Sequence, residues 1–325
     1  MNCVVTGGCG FLGSHLVENL IKLKHNVTVI DDLSSGRINN LHNVKKKFKF
    51  IKASICNYKK ISKYFENTDW VFHLAAKSDI VPSIENPKIY FETNVDGTFN
   101  VLQCSRKNKV KKFIYIASST CYGIPKNYPT SEMDKIETKF PYALTKHLGE
   151  KLVLHWGQVY KLPVISLRCF NIYGTRSRTT GAYGAVMGVF LAQRINKKPL
   201  TIVGTGNQKR DFTYVTDVVN AILKAAKSKI KNEIFNVGSG QTISINYVAK
   251  LIGGKKVFLP KRPGEPDITF ADIKKIKRLL NWKPKININS GINKLINQID
   301  FWKNAPVWSK SKIKIVTKNW FKLLK

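Results

Sequence analysis

Apolar positions over the first 170 residues come in short β-branched runs, separated by longer stretches of helical spacing. The runs NCVVT (2 to 6), NVTVID (26 to 31), KFKFIKA (47 to 53), WVFHLA (70 to 75), KFIYIAS (112 to 118) and PVISLRC (163 to 169) read as strands. Between them, 11 to 24, 88 to 108 and 142 to 160 read as helices. Such alternation predicts an α/β architecture, a doubly wound parallel sheet covered by helices, with ligands bound where the strands end. Past residue 169 the alternation loosens and loops lengthen around 174 to 184, 204 to 212 and 260 to 270. A first domain over 1 to 168, completed by part of 213 to 240, is therefore expected to interleave with a smaller C-terminal α/β domain over 169 to 325.

Composition narrows the class. With 325 residues, 43% of them hydrophobic, the chain can bury a substantial core. Its longest apolar runs fall far short of the roughly 20 residues a membrane span needs, so no membrane partner is expected. The N-terminus enters a strand at once without the features of a secretory signal, and a cytoplasmic location is expected. Lysine and arginine total 55 against 20 acidic residues, a net charge of +35. A nucleic-acid partner would concentrate that charge on one stripe. Here the lysines run through every segment, which predicts a solvated basic surface, no nucleic-acid partner and a general attraction for anionic ligands. Six scattered cysteines without CxxC pairs read as buried thiols, with no metal site.

TGGCGFLGSHL follows the first strand and opens a helix, placing glycines at 7, 10 and 13. That spacing allows a tight turn, close approach of backbone to a pyrophosphate, and phosphate contact at a helix N-terminus. The second strand ends in Asp31, where a carboxylate accepts ribose hydroxyls. It would also repel a 2′-phosphate, so NAD is favoured over NADP, with Arg37 read as a loop arginine. The first domain is expected to be an NAD-binding Rossmann domain.

In KFPYALTKHLGEKL, Tyr142 and Lys146 stand four apart and share a helix face. An ammonium beside a phenol favours the phenolate; bringing a tyrosine from about 10 to about 7 takes about 4 kcal/mol, to be shared by the lysine and the positive nicotinamide ring. The pair is then expected to serve as a general base at neutral pH. ASSTCYG (117 to 123) ends the fifth strand at the same sheet edge, bringing the hydroxyls of Ser118 and Thr120 as catalytic candidates.

TGGCGFLG, HLAAKS (73 to 78), TNVDGT (93 to 98), ASSTCYG, YALTK, RCFNIYG (168 to 174), RDFTYVTD (210 to 217), FNVGSG (235 to 240) and RPGE (262 to 265) occur in order over residues 1 to about 300. In this the chain resembles the extended short-chain dehydrogenases/reductases of the NAD-dependent nucleotide-sugar epimerase/dehydratase family, of the UDP-glucose 4-epimerase-like kind. The resemblance implies that Tyr142 takes the proton of a sugar hydroxyl while hydride leaves the same carbon, that Ser118 holds that hydroxyl, and that Lys146 also binds the nicotinamide ribose. It implies cofactor contacts from Gly7, Gly10, Phe11, Leu12, Gly13, Asp31, Ser54, Ile55, Leu74, Ala75, Ala76 and Lys77, with Asn94 supporting the lysine. Ser54 departs from the usual aspartate and implies a weaker bond to the adenine amino group.

Dehydratases of the family carry Asp and Glu directly after the catalytic Ser or Thr; here Ser119 and Thr120 stand there. Decarboxylases carry the Glu, again at Thr120. The resemblance therefore implies C4 epimerisation of a UDP-sugar through a 4-keto intermediate, with a nucleotide-sugar reductase, dehydrogenase or dehydratase as the alternative. A nucleic-acid or regulatory protein using the fold as a dinucleotide sensor is the remaining class, and such proteins generally lose the Tyr and Lys pair. Asn171, Arg210 and Arg262 match positions that contact the diphosphate and its sugar, Glu265 one that accepts from the nucleotide ribose, and Tyr183 one along the nucleotide. Thr269 matches a position that gates the sugar pocket, and its small size is compatible with a UDP-hexose, UDP-N-acetylhexosamine or UDP-uronic acid. Relatives pair through helices matching 88 to 108 and 142 to 160, so a homodimer is expected. The tail from 301 holds Trp302, Trp308, Trp320 and Phe321 and is expected to dock as a helix.

Overall fold

A computed structural model describes residues 1–177 and 185–324. Seven strands form one sheet: β1 Asn2–Thr6, β2 Asn26–Asp31, β3 Lys49–Lys52, β4 Trp70–His73, β5 Lys112–Ser118, β6 Val164–Cys169 and β7 Glu233–Val237. Their order is β7-β6-β5-β4-β1-β2-β3, and every pairing is parallel. This is the Rossmann-type doubly wound arrangement. The inner strands are apolar on successive residues because both faces are covered, whereas the edge strand β3 has no buried residue.

On one face Cys3, Val5, Val27, Val29, Ile165 and Leu167 pack against helix α1 (Phe11–Lys22) and helix α4 (Val215–Lys227). On the other, Val4, Ile30, Val71, Phe113 and Val164 pack against helix α2 (Gly97–Lys107) and helix α3 (Pro141–Tyr160). A separate core gathers Phe190, Leu191, Val248, Ile252, Ile292 and Trp302 from the later part of the chain. The tail ends in helix α5 (Lys318–Leu323), whose Trp320 packs with Val81 and Phe140.

Several elements differ from the sequence expectation. The run 47 to 53 pairs only over Lys49–Lys52, and the run 70 to 75 only over Trp70–His73. The stretch 88 to 108 is not one α-helix: Pro87–Phe91 is followed by a π-helical turn at Glu92–Asp96 before α2 begins. In that wider turn the amide of Gly97 bonds the carbonyl of Glu92, five residues back. Helix α3 opens with Pro141 in its first turn, where a missing N–H costs nothing.

Candidate active site

The C-terminal ends of the strands converge on a cleft of about 680 Å³. At one end lies the glycine turn. Gly7 has φ +70°, and a Cβ on Gly13 would stand 2.1 Å from the Gly7 carbonyl oxygen, so no side chain fits between turn and helix. Asp31, at the end of β2, is buried and accepts from the amides of Cys9 (2.9 Å) and Leu33 (2.8 Å). Burial pushes its carboxyl up, and those two amide bonds pull it back. Gly7, Gly10, Phe11, Leu12, Gly13, Asp31, Ser54, Ile55, Leu74, Ala75, Ala76 and Lys77 all line the cleft. A backbone cradle closed to any Cβ, opening a helix N-terminus and facing a carboxylate at the next strand end, fits a dinucleotide pyrophosphate and its ribose.

Asn94 sits one layer back. Its amide exchanges two hydrogen bonds with the backbone of Lys77 (2.8 and 3.0 Å) and donates to Thr145 Oγ1 at 3.1 Å. It thus ties the π turn to the loop after β4 and to α3. Its direct partner is the Lys77 backbone, whereas the expectation made it the support of Lys146.

Deeper in, β5 delivers Ser118 and α3 delivers Tyr142 and Lys146, all lining the cleft with Thr120. Ser118 Oγ lies 2.9 Å from Thr120 Oγ1 and is also hydrogen-bonded to the Tyr142 hydroxyl. The three hydroxyls form one chain. Lys146 Nζ lies 4.1 Å from the centroid of the Tyr115 ring, and the Tyr115 hydroxyl donates to the Lys146 carbonyl. Burial pushes the Tyr142 phenol up to about 12, against the pull of its bond with Ser118. Burial likewise brings the Lys146 ammonium down to about 7, opposed by Cys169 and Glu150. The expected lowering of Tyr142 by its neighbour is therefore not a property of the protein alone. Desolvation is the leading cause at both groups.

The opposite wall carries Asn171, Arg210, Arg262, Glu265 and Thr269. Arg262 bonds Glu265 at 2.9 Å, and Arg210 approaches the other carboxylate oxygen at 3.9 Å. Glu265, expected to accept from a ribose, is half-buried in the protein alone and faces two arginines that offset its charge. Thr269 donates to Asn171 Oδ1 at 2.9 Å and accepts from the Asp211 amide at 3.1 Å, so its hydroxyl is spent on the wall itself. Tyr183 lies outside the described residues.

Sequence reasoning missed a buried ion pair behind this site. Glu150, one turn beyond Lys146, takes three short contacts from Arg168 of β6, the nearest at 2.6 Å, and accepts from Ser166 at 2.7 Å. Burial alone would raise the Glu150 carboxyl, but the nearby His147 ring at 3.5 Å, bonds from Arg168 and Ser166 and the Arg168 charge hold it at about 2. A glutamate four after the lysine on the same face was the available signal. Cys169, read simply as a buried thiol, lines the cleft, and burial pushes it up to about 12 although the Lys146 charge opposes this. Trp320 of the tail lines it too.

The NAD dependent epimerase/dehydratase family matches residues 3–238. A putative UDP-glucose 4-epimerase of Methanocaldococcus jannaschii is 35% identical over 302 residues, 90% of this chain and 97% of that protein. Among solved structures, UDP-glucose 4-epimerase of Thermotoga maritima with UDP-glucose superposes with a TM-score of 0.87 at 32% identity, covering 93% of this chain and 99% of that one. UDP-glucuronic acid 4-epimerase of Bacillus cereus, in complex with UDP-glucuronic acid and NAD, gives a TM-score of 0.86 at 32% identity over 92% and 99%. With the glycine cradle, the strand-end carboxylate and the Ser118, Tyr142 and Lys146 cluster in one cleft, the chain belongs to the NAD dependent epimerase/dehydratase family.

Proposed function

We propose that this NAD-dependent enzyme interconverts the C4 epimers of a UDP-sugar through a 4-keto intermediate. The observation that carries this reading is the hydroxyl chain of Thr120, Ser118 and Tyr142 beside Lys146, with no carboxylic acid at either position after Ser118. The glycine turn and Asp31 would hold NAD, which would supply a hydride acceptor and donor for C4. Tyr142 takes the C4 hydroxyl proton as the carbonyl forms and gives it back as the alcohol reforms. Ser118 bonds the reacting oxygen and shares the proton's path. Lys146, charged, favours the phenolate and binds the cofactor ribose. Elimination of water would need an acid and a base at 119 and 120, where hydroxyls stand.

Arg210 and Arg262 would hold the diphosphate, a pair of planar forks suited to two adjacent phosphates. Asn171 and Thr269 would border the sugar. Rotation of the keto-sugar in the cleft presents its other face for the returning hydride, so no external redox partner is consumed. Incubation with UDP-glucose, UDP-N-acetylglucosamine and UDP-glucuronic acid without added NADH is expected to yield a C4 epimer of at least one of them. A net change at the nicotinamide absorbance band, with no epimer, would refute the reading.

The working protein is a cytoplasmic homodimer in this proposal. Ile89, Phe91, Phe99, Leu144, Val159 and Tyr160 stand exposed on the helices at Pro87–Phe91, α2 and α3, an apolar surface that a second copy would cover. Among the described residues no helix is long and apolar enough to cross a membrane. Light scattering of the purified protein is expected to give twice the chain mass of 36.9 kDa.

A further inference from the structure

The last 21 residues add four side chains to the cleft: Ala305, Pro306, Trp308 and Trp320. This segment is fastened at both ends. The Trp308 carbonyl accepts from Gln193 Nε2 at 2.7 Å, and that buried glutamine also holds Thr201 through both ends of its amide. Trp320 is 2% exposed. Its indole N–H donates to the Pro263 carbonyl at 2.8 Å. Its ring lies 5.3 Å from the Arg262 guanidinium carbon and 5.1 Å from the Phe140 ring.

These contacts join two loops that arrive from distant parts of the chain. One is RPGE, which carries Arg262 and Glu265. The other is the start of α3, where Phe140 stands two residues before Tyr142. Glu265 bonds one nitrogen of the Arg262 fork while the guanidinium carbon stands over the Trp320 ring, so the group is restrained from two sides. An arginine held this way meets an anion without first losing its rotameric freedom.

We infer that Trp320 is a positioning residue for the nucleoside diphosphate: the tail completes the pocket and sets Arg262 against the catalytic helix. The inference rests on the reading of Arg262 as a diphosphate contact. It makes α5 part of substrate recognition, although the tail lies beyond every motif that identifies the site.

The test is UDP binding by calorimetry on the NAD-loaded full chain, with KM, kcat, NAD content and thermal unfolding measured alongside. Trp320→Ala is expected to weaken UDP roughly tenfold and raise KM by the same factor, with kcat within about threefold and NAD content unchanged. In an Arg262→Ala background the same change is expected to add less than about twofold, because its effect passes through the arginine. Trp320→Phe keeps a ring on Arg262 and Phe140 but loses the bond to Pro263, and is expected to weaken UDP roughly threefold. That variant decides the matter should Trp320→Ala not fold. Unchanged UDP affinity in a folded Trp320 variant, or full additivity with Arg262→Ala, overturns the inference while leaving the site reading intact. A wild-type protein that binds no UDP would instead overturn the site reading on which it rests.

Discussion

Replacing Tyr142 by phenylalanine removes one oxygen from the cleft and leaves the ring, which meets Tyr90 edge to face at 6.4 Å. The hydroxyl contributes one bond, to Ser118, and Ser118 keeps Thr120 as a partner. A net loss of about 1 kcal/mol or less is expected, partly offset because a buried hydroxyl is no longer desolvated. The melting temperature should move by no more than about 3 °C. Turnover is another matter. In the protein alone the phenol sits at about 12. Making it half ionised at pH 7 requires about 5 pKa units, or about 7 kcal/mol, which a protonated Lys146 and the positive charge of bound NAD must supply together. Nothing else in the hydroxyl chain can take up that role, because a serine or threonine hydroxyl is a far weaker acid. Loss of the general base is expected to lower kcat by roughly 10² to 10⁴, about 3 to 5 kcal/mol of barrier, with KM little changed. Chromatographic assay of UDP-sugar interconversion, normalised to bound NAD, measures this. The wild-type rate should climb with pH as the phenol deprotonates, and the variant's residual rate should lack that limb. A variant with full NAD content and more than about a tenth of the wild-type kcat would refute the reasoning.

Lys146 sits at about 7 in the fold against about 10.5 in the unfolded chain, so between those values the unfolded chain binds the extra proton and stability rises with pH. Below pH 7 the native state carries the full penalty, about 5 kcal/mol at most. Lys146→Met is therefore expected to be inactive yet more stable than wild type in thermal melts of NAD-stripped protein at pH 6, with the gap closing by pH 10; equal melting at pH 6 would contradict this. Glu150→Gln strands the buried Arg168 charge and is expected to cost about 3 to 5 kcal/mol in denaturant unfolding, most of it regained by Glu150→Leu with Arg168→Met. The Glu150 carboxyl is depressed to about 2, so its contribution is present above about 4.5 and lost as pH falls toward 2; the Gln variant should lack that acid limb, and a loss under about 1 kcal/mol at pH 7 would show that the pair does not matter.

Local patterns carried the sheet well. The strand runs, the glycine turn and the Tyr142 and Lys146 spacing are short-range signals, and a β-branched run covered on both faces announces itself within six residues. The features that were not legible depend on residues far apart in the chain. The π turn at Glu92–Asp96 keeps helical composition throughout and differs only in one extra residue, whose effect appears through Asn94 and Lys77. Arg168 reads as a strand residue until Glu150 is brought beneath it. The approach of Arg210 to Glu265 joins residues far apart in the chain and has no local signal. Burial of Tyr142 and Lys146 cannot be read from their four-residue spacing, and burial decides their proton affinities. Trp320 reaches the cleft only because Pro263 and Phe140 are folded against it.

The position of β7 has a bearing on how the molecule is made. Strand β6 ends at Cys169, while the strand that shields its outer side begins at Glu233, more than sixty residues later. During synthesis β6 must wait, its unpaired backbone groups open to any other extended chain nearby. A product stopped near residue 170 would keep the glycine turn and Tyr142 yet offer a naked border, and it should precipitate or stack on itself instead of yielding a tidy half-protein.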